Sequence, residues 1–177
     1  QPPLYKAKLG RDERYLKDEH ELNEYMLRQA LVDAALTPAS GREAIGGESL
    51  AELAKSYLLA EAVIDRVSRW VDREALVAVL RGTKVDLSGR ETAEASATAL
   101  AAAMPGVRVN AHFDTKTDRY QVRIERSKHG NMRISVIDAE FVHSGDYQQI
   151  VKTAEILRDL IGNGAEVRRG DRVQPVR

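Results

Sequence analysis

The sequence predicts an α+β fold: a group of helices, then a three-stranded antiparallel meander and a long C-terminal helix, with strand-like segments at both termini. Hydrophobic residues recur every three to four positions over residues 19–104, which is the spacing of helices that bury one face. Over residues 107–139 they alternate with polar residues, as in half-buried strands, and helical spacing returns after residue 144. Because helices and strands are grouped along the chain, we expect α+β organisation in one domain over residues 1–177.

The first segment, residues 1–18, is predicted to be a β-hairpin. Residues 4–9 and 13–17 flank a Gly10-Arg11-Asp12 turn, and glycine and aspartate tolerate the backbone conformations that such turns need. Asp18, with Glu21 three residues later, predicts the start of a helix. We expect this helix to include Leu36 and to stop at Thr37-Pro38, because proline disfavours helical backbone in the preceding residue.

Three further helices are expected after a loop over residues 38–47. Ser49 and Glu52 form a capping box before the most periodic segment, and Ser88 and Glu91 form another before an alanine-rich helix that ends at Met104. Asp72 is predicted to cap a short helix between these two, closed by Gly82. The periodic segment carries apolar residues at alternating steps of three and four: Leu50, Leu53, Tyr57, Ala60, Ile64, Val67 and Val71. Such a stripe either packs in the core, which we favour, or docks a partner helix.

The meander, residues 107–139, is predicted to have one apolar and one polar face. The side chains expected on the apolar face are Val107, Val109, Ala111, Phe113, Tyr120, Val122, Ile124, Met132, Ile134 and Val136. Ser144 is predicted to cap the last helix, which would extend to Ile161 and end at Gly162-Asn163-Gly164. The tail that completes residues 144–177 reads as a hairpin around Gly170-Asp171. Strand-like segments at both ends suggest that the termini pair or lie side by side, as in an inserted domain.

Composition excludes several classes of protein. The chain has 27 Lys+Arg and 27 Asp+Glu, so its net charge of zero argues against a generally polycationic nucleic-acid binder. It has no cysteine, which excludes disulfides, thiolate nucleophiles and Cys-based metal sites. No apolar run approaches the roughly 18 residues of a membrane span, and no signal peptide is evident, so we expect a cytoplasmic protein without a membrane partner. The first residue is Gln1 rather than Met, so the sequence reads as a piece of a longer chain or as a processed one.

Candidate catalytic and metal-binding groups are better explained as caps and turns. His143-Ser144-Gly145-Asp146 contains the residue types of a hydrolytic triad, but neighbours at a helix start do not point at one another. Asp114 and Asp118 flank a turn, and Gly46-Gly47 precedes a helix without a phosphate-loop motif. The serines Ser40, Ser49, Ser88 and Ser144 read as loop or capping residues. We therefore assign no catalytic, cofactor or metal residue, and a standalone enzyme built on His143 or on the Asp114/Asp118 turn is a minor alternative.

Two groups of arginines suggest contact with DNA phosphates. They are expected on the polar face of the meander and in the tail, and acidic neighbours such as Glu125 and Asp171 dilute both groups. The candidates are Arg108, Arg123, Arg133, Arg168, Arg169 and Arg172. A solvated sheet face explains them as well, so an independent module that binds the DNA backbone is the alternative function.

The two ends of the chain resemble a bacterial protein family. The start QPPLYK, followed by GRDERYLKD, and the later EFVHSGDYQQI, AEILRDLI and AEVRRGDRVQPV resemble the extra domain inserted into the TOPRIM region of Gram-negative DNA gyrase B subunits. Residues 83–106 match this domain in position only. The E subunit of the related topoisomerase IV usually lacks the insert and is the weaker match.

The resemblance implies a function that lies mostly outside this chain. Such a parent is a type IIA topoisomerase, an isomerase that assembles with the gyrase A subunit to supercoil DNA negatively, using ATP and Mg²⁺. The family's TOPRIM motifs EGDSA and DxD, and its KGLGEMN stretch, have no counterpart here, so no catalytic residue is carried over. The resemblance implies a non-catalytic structural and coupling insert, whose partners are the host TOPRIM region, DNA and the gyrase A subunit.

Overall fold

The computed structural model describes residues 4–38, 43–158, 160 and 165–175. The helices among these residues are α1 (Glu19–Ala30), α2 (Gly47–Val67), α3 (Arg73–Leu80), α4 (Arg90–Ala103), α5 (Ala139–Val142) and α6 (Gly145–Arg158). The strands are β1 (Tyr5–Leu9), β2 (Asp12–Leu16), β3 (Ala34–Thr37), β4 (Ile45–Gly46), β5 (Arg108–Asp114), β6 (Arg119–Lys128), β7 (Asn131–Ile137), β8 (Glu166–Arg169) and β9 (Arg172–Pro175). The strand pairs are antiparallel, and the predicted α+β class is confirmed.

The chain divides into two compact units. One contains the described residues of Gln1–Tyr57 and Asp159–Arg177, and the other is Leu58–Arg158. Helix α2 begins in the first unit and ends in the second. The stripe on α2 is buried at six of its seven positions, the exception being Tyr57, which is 40 % exposed. The prediction that this stripe is core is confirmed at those six positions.

In the first unit, the N-terminal hairpin forms as predicted. Tyr5 pairs with Leu16 and Leu9 with Asp12, around a turn in which Gly10 has a φ of +61°. The Asp18 carboxylate accepts a hydrogen bond from the Glu21 backbone N–H at 2.8 Å, which confirms the predicted start of α1.

Helix α1 ends earlier than the sequence predicts. It stops at Ala30, Asp33 takes a left-handed backbone with a φ of +60°, and Leu36 lies in strand β3. Strand β3 pairs with β4 and β8, so its geometry is set by a strand some 130 residues further along the chain. Pairing with distant strands therefore overrides the local helical pattern.

The second sheet of this unit has the strand order β4-β3-β8-β9. The predicted tail hairpin around Gly170 is confirmed, and it pairs with β3, whereas the N-terminal hairpin forms a separate two-stranded sheet. Strand β4 lies inside the loop predicted over residues 38–47, and α2 begins at Gly47, two residues before the predicted cap Ser49. Ser40 lies outside the described residues.

In the second unit, the C-terminal part of α2, helices α3, α4 and α6, and the predicted meander enclose a core. Helix α3 packs against α4 and α6, and α4 packs against β5 and β6. Asp72 caps α3 as predicted, and Gly82 follows its end with a φ of +109°. Helix α4 is capped at Gly89 rather than at the predicted Ser88, because the Gly89 N–H donates to the Thr92 hydroxyl at 3.1 Å. Fully buried side chains of this core are Ile64, Leu76, Leu100, Met104, Val122, Ile124, Ile137 and Ile150.

The three-stranded meander has the predicted strand order β5-β6-β7. Strand β7, however, presents its alternate residues to the faces opposite to those that the sequence predicts. We call the face on which α4 packs the inner face; it carries the buried Val122 and Ile124, and the opposite side is the outer face. Val122 lies opposite Ile137, and Ile124 opposite Ser135. The expectation that Met132, Ile134 and Val136 share the apolar face is therefore wrong: these three residues lie on the outer face.

The C-terminal part of this unit contains one helix that the sequence did not predict. Asp138 caps the short α5 by accepting from the Phe141 N–H at 2.8 Å. The Ser144 hydroxyl accepts from the Tyr147 N–H at 3.2 Å, so the predicted cap of the last helix is confirmed. Helix α6 ends at Arg158, before the predicted end at Ile161; residues 161–164 lie outside the described part. Among the described helices, none has the length and hydrophobicity needed to cross a bilayer.

Candidate functional site

A buried ion pair holds the α2–α3 corner against the sheet. Asp72 is 6 % exposed and accepts from the backbone N–H groups of Glu74 and Ala75 at 3.0 and 3.3 Å. Arg126 of β6 binds the same carboxylate with two donors, Nε to Oδ2 at 2.8 Å and Nη2 to Oδ1 at 3.1 Å. The Asp72 N–H donates to the Ser135 hydroxyl of β7 at 3.2 Å. We call Asp72, Glu74, Arg126 and Ser135 the corner cluster.

The protonation of the corner cluster follows from its contacts. Burial on its own raises the pKa of Asp72, but the hydrogen bonds and charge of Arg126, with the two backbone N–H groups, outweigh burial and hold this pKa below its usual value. Hydrogen bonds to Asp72 and Glu74 raise the pKa of Arg126 further above its usual value. Both groups therefore stay ionised at neutral pH, and the cluster serves to position the corner rather than to transfer protons.

Arg133 reinforces the same corner. Its Nη2 donates to the carbonyl oxygens of Ser68 and Arg69, at 2.9 and 3.2 Å, just beyond the C-terminus of α2. A cation at a helix C-terminus is favoured by the unpaired carbonyl groups there. Arg133 pairs with Arg126 across the strands, so it lies in the inner-face row and not on the polar face with Arg108 and Arg123. That expectation of a shared polar face is wrong.

Arg108 and Arg123 lie on the outer face and share one carboxylate. Glu125 Oε2 is 3.5 Å from Arg108 Nη1, and Glu125 Oε1 is 3.1 Å from Arg123 Nε. The Glu125 side chain is 19 % exposed, so its charge is partly shielded from water. These contacts offset about one of the two positive charges.

Arg168, Arg169 and Arg172 lie in the β8–β9 hairpin of the first unit. Arg169 pairs with Arg172 on one side of the sheet, and Arg168 pairs with Val173 on the other. All three are exposed, and none has an ion-pair partner among the described residues. The six candidate arginines thus belong to two units and, within each unit, to both faces of a sheet.

The residues of the triad-like sequence are each engaged in local structure. His143 Nδ1 is 2.6 Å from the Ala139 carbonyl oxygen, the Ser144 hydroxyl donates to the Phe141 carbonyl at 2.6 Å, and Asp146 pairs with Arg66 at 2.5 Å. The Ser144 hydroxyl therefore acts as a cap, because it donates to the Phe141 carbonyl and accepts from the Tyr147 N–H.

The acidic turn candidates are also accounted for by local contacts. Asp114 accepts from the Lys116 N–H at 3.0 Å and the Thr117 hydroxyl at 2.9 Å, and these hydrogen bonds lower its pKa. Asp118 takes a left-handed backbone with a φ of +54°, as expected for a turn residue. Across the described residues, no group of three or more potential metal ligands is found.

Two open cavities flank the segment that joins α3 to α4. One, of about 350 Å³, lies between residues 82–86 and α6; the other, of about 600 Å³, lies between residues 85–88 and the Ala139–His143 region. Tyr147 borders the first, and burial raises the pKa of its hydroxyl. A neutral phenol and a histidine held by a backbone carbonyl provide no activated nucleophile.

The sequence does not identify Arg126 as the partner of the Asp72 carboxylate. Asp72 is recognisable as a cap, but its partner Arg126 is 54 residues away and sits at the end of a strand with ordinary charged neighbours. No local pattern distinguishes Arg126 from Arg119 or Arg123.

Comparisons with known proteins agree with the resemblance of the two ends. Residues 34–177 match the family model of the DNA gyrase B subunit insert domain, and residues 3–31 match the gyrase B hook. The chain therefore belongs to the DNA gyrase B insert-domain family, among the topoisomerases, with a hook segment at its N-terminal end.

Individual relatives extend this assignment. The DNA gyrase B subunit of Caulobacter vibrioides is 28 % identical over 177 residues, which is 100 % of this chain and 21 % of the relative. The gyrase B subunit of Rickettsia bellii is 38 % identical over 73 residues, 41 % of this chain and 9 % of the relative, and that of Myxococcus xanthus is 29 % identical over 89 residues, 49 % and 11 %. The chain spans about a fifth of the length of the Caulobacter relative.

Proposed function

We propose that this chain is a non-catalytic structural and coupling insert of a gyrase B subunit. The observation that carries the proposal is the insert-domain match over residues 34–177. The Caulobacter relative, of which this chain covers 21 %, is much longer and leaves room for the rest of a B subunit. The structure supports it, because the candidate catalytic groups His143, Ser144 and Asp114 are occupied by caps and turns. The buried Asp72 and Ser135 of the corner cluster, with Arg126, position helices against a sheet.

The parent enzyme that we infer negatively supercoils DNA by ATP-dependent passage of one double strand through another. In this proposal ATP and Mg²⁺ bind outside the present segment, and the insert contacts the TOPRIM region of its own polypeptide. The other partners, in the cytoplasm, are DNA and the gyrase A subunit. The insert contributes rigidity and coupling, and the chemistry takes place elsewhere in the complex.

The first prediction separates an insert from an enzyme. The isolated chain is expected to show no ATP hydrolysis and no Mg²⁺-dependent DNA cleavage above buffer. A full-length B subunit in which this segment is replaced by a Gly/Ser linker is expected to lose plasmid supercoiling when mixed with the A subunit. Circular dichroism and the ATPase activity of the linker variant control for folding. Cleavage by the isolated chain, or full supercoiling by the linker variant, would contradict the proposal.

Direct contact with the DNA backbone is a second proposal, and it is best supported at the β8–β9 hairpin. Arg169 and Arg172 are exposed on the same side of that hairpin without ion-pair partners among the described residues, whereas Arg108 and Arg123 share Glu125. Exposed, unpaired guanidinium groups are the ones that bind phosphates at least cost.

Salt dependence tests this second proposal. Titration of this chain with duplex DNA at several salt concentrations gives the slope of log K against log[salt]. Arg169→Gln and Arg172→Gln are each expected to reduce that slope by about 1, and Arg108→Gln by less because its charge is already partly offset. Equal slopes for the wild-type chain and both hairpin variants would exclude phosphate contacts at the hairpin.

A further inference from the structure

Strand β7 presents a row of apolar side chains to solvent. Met132 is 60 % exposed and Ile134 is 49 % exposed, and Val136, in the same row, is half-buried. Alternate residues of a strand share a face, so these three residues form a continuous line along the outer face, which we call the apolar stripe. Isolated exposed apolar residues are common, whereas a continuous row on one sheet face marks a contact surface.

Two arginines and one glutamate lie beside the apolar stripe, so the charged groups next to it have a net charge of +1. Arg123 lies opposite Val136, and Glu125 lies opposite Ile134, with Arg108 beyond it on β5. Glu125 is the carboxylate that both arginines share, so the two guanidinium groups together exceed it by one charge. The surface therefore suits a partner that offers apolar side chains and a carboxylate side by side.

A protein fits this surface better than nucleic acid does. The excess cation alone would suit a phosphate as well as a carboxylate, but phosphates gain nothing from the exposed Met132 and Ile134. An apolar side chain, by contrast, is stabilised when it packs on the stripe and displaces water.

The size of the surface points to a segment rather than to a second copy of this chain. Three strands about 4.8 Å apart and about seven residues long at 3.4 Å per residue present roughly 350 Å². A stable interface between separate proteins buries about 800 Å² on each side. In a symmetric pair the excess cations would also face one another. A surface this small is sufficient where the partner is held nearby by the same assembly.

We propose that the outer face of β5-β6-β7 docks a polypeptide segment of the gyrase assembly that carries apolar side chains next to Asp or Glu. This inference rests on the proposed insert function and adds to it the docking surface and the chemistry of its partner. The apolar stripe supplies the buried contact, and Arg108 and Arg123 orient the acidic side chain of the segment.

Photo-crosslinking in the full-length B subunit, in complex with a DNA duplex and the A subunit, tests the proposal. A p-benzoylphenylalanine at position 132 is expected to crosslink to an acidic, apolar protein segment that mass spectrometry identifies. The matched control places the same group at position 156, where Ile156 of α6 is 40 % exposed away from the stripe. Adding Ile134→Asp to the position 132 variant is expected to reduce the crosslink yield at least about tenfold, because a carboxylate there would interrupt the apolar contact and repel the acidic side chain of the segment.

Three outcomes would overturn the proposal. These are a crosslink to DNA, a crosslink to a second copy of this chain, and a yield at position 132 no greater than at position 156. Circular dichroism of the Ile134→Asp chain must match the wild type, and Ile134→Thr, neutral and β-branched, serves as a second variant with a smaller expected loss. Crosslink yield is read independently of supercoiling. A missing crosslink with an inactive linker variant refutes the docking surface alone, whereas an active linker variant refutes the insert function itself.

Discussion

Arg126→Met is expected to lower the free energy of unfolding of this chain by about 3–5 kcal/mol at pH 7, since removing one partner of a buried ion pair leaves the other charge uncompensated. The uncompensated charge would be Asp72, which is 6 % exposed. The measurement is urea unfolding followed by circular dichroism and by the fluorescence of Trp70. Trp70 is the single tryptophan of the chain and lies two residues from Asp72.

Asp72→Asn provides the matched control. Asparagine still caps a helix, so it can accept from the Glu74 and Ala75 N–H groups, but it carries no charge. The double variant Asp72→Asn/Arg126→Met is therefore expected to be more stable than Arg126→Met alone. A loss of less than about 0.5 kcal/mol in Arg126→Met, the range of ordinary surface substitutions, would contradict a structural role for the pair.

The pH dependence of the free energy of unfolding provides a second test of the Asp72–Arg126 pair. The pKa of Asp72 is lowered in the folded chain, so its contribution is present above the unfolded pKa of about 4 and is lost as pH falls through the folded value. In Arg126→Met the burial of Asp72 remains while its main counterion is gone, so the pKa should rise and ionisation should oppose folding. The stability difference between wild type and variant is thus expected to shrink below about pH 4. A difference independent of pH would exclude the charge as its cause.

Local signals in the sequence were sufficient where a residue acts on its own neighbours. Asp18, Asp72 and Ser144 cap the helices that they were predicted to cap, because a cap needs a backbone N–H two or three residues away. The predicted cap at Ser88 is wrong for an equally local reason. The Thr92 hydroxyl pairs with the Gly89 N–H, which starts α4 one residue later than a Ser88 cap would.

Contacts between distant residues could not be predicted in the same way. Leu36 continues a helical pattern, yet it pairs with Val167 in a sheet. Asp72 has the features of an ordinary cap, and nothing near it in sequence indicates Arg126. The sequence shows that β7 alternates, but both of its rows contain apolar residues, so alternation alone does not decide which row is buried.

The orientation of β7 is the basis of the second large prediction. Ile137→Ala is expected to cost about 2–5 kcal/mol, because a fully buried isoleucine leaves a cavity. Ile134→Ala, in the same strand and with the same atoms removed, is expected to cost no more than about 1 kcal/mol, since Ile134 is 49 % exposed. Chemical unfolding of the two single variants measures both values under identical conditions.

The comparison between Ile137→Ala and Ile134→Ala also tests whether the apolar stripe lies on the outer face, where a partner can reach it. If Ile137→Ala is the costly change, the row that contains Ser135 and Ile137 lies on the inner face, and Met132, Ile134 and Val136 are left on the outer face. If instead Ile134→Ala costs more, Met132, Ile134 and Val136 face the core, as predicted from the sequence. A one-residue change of register moves every side chain of a strand to the other face, so that result would remove the docking surface together with the contact between Ser135 and Asp72.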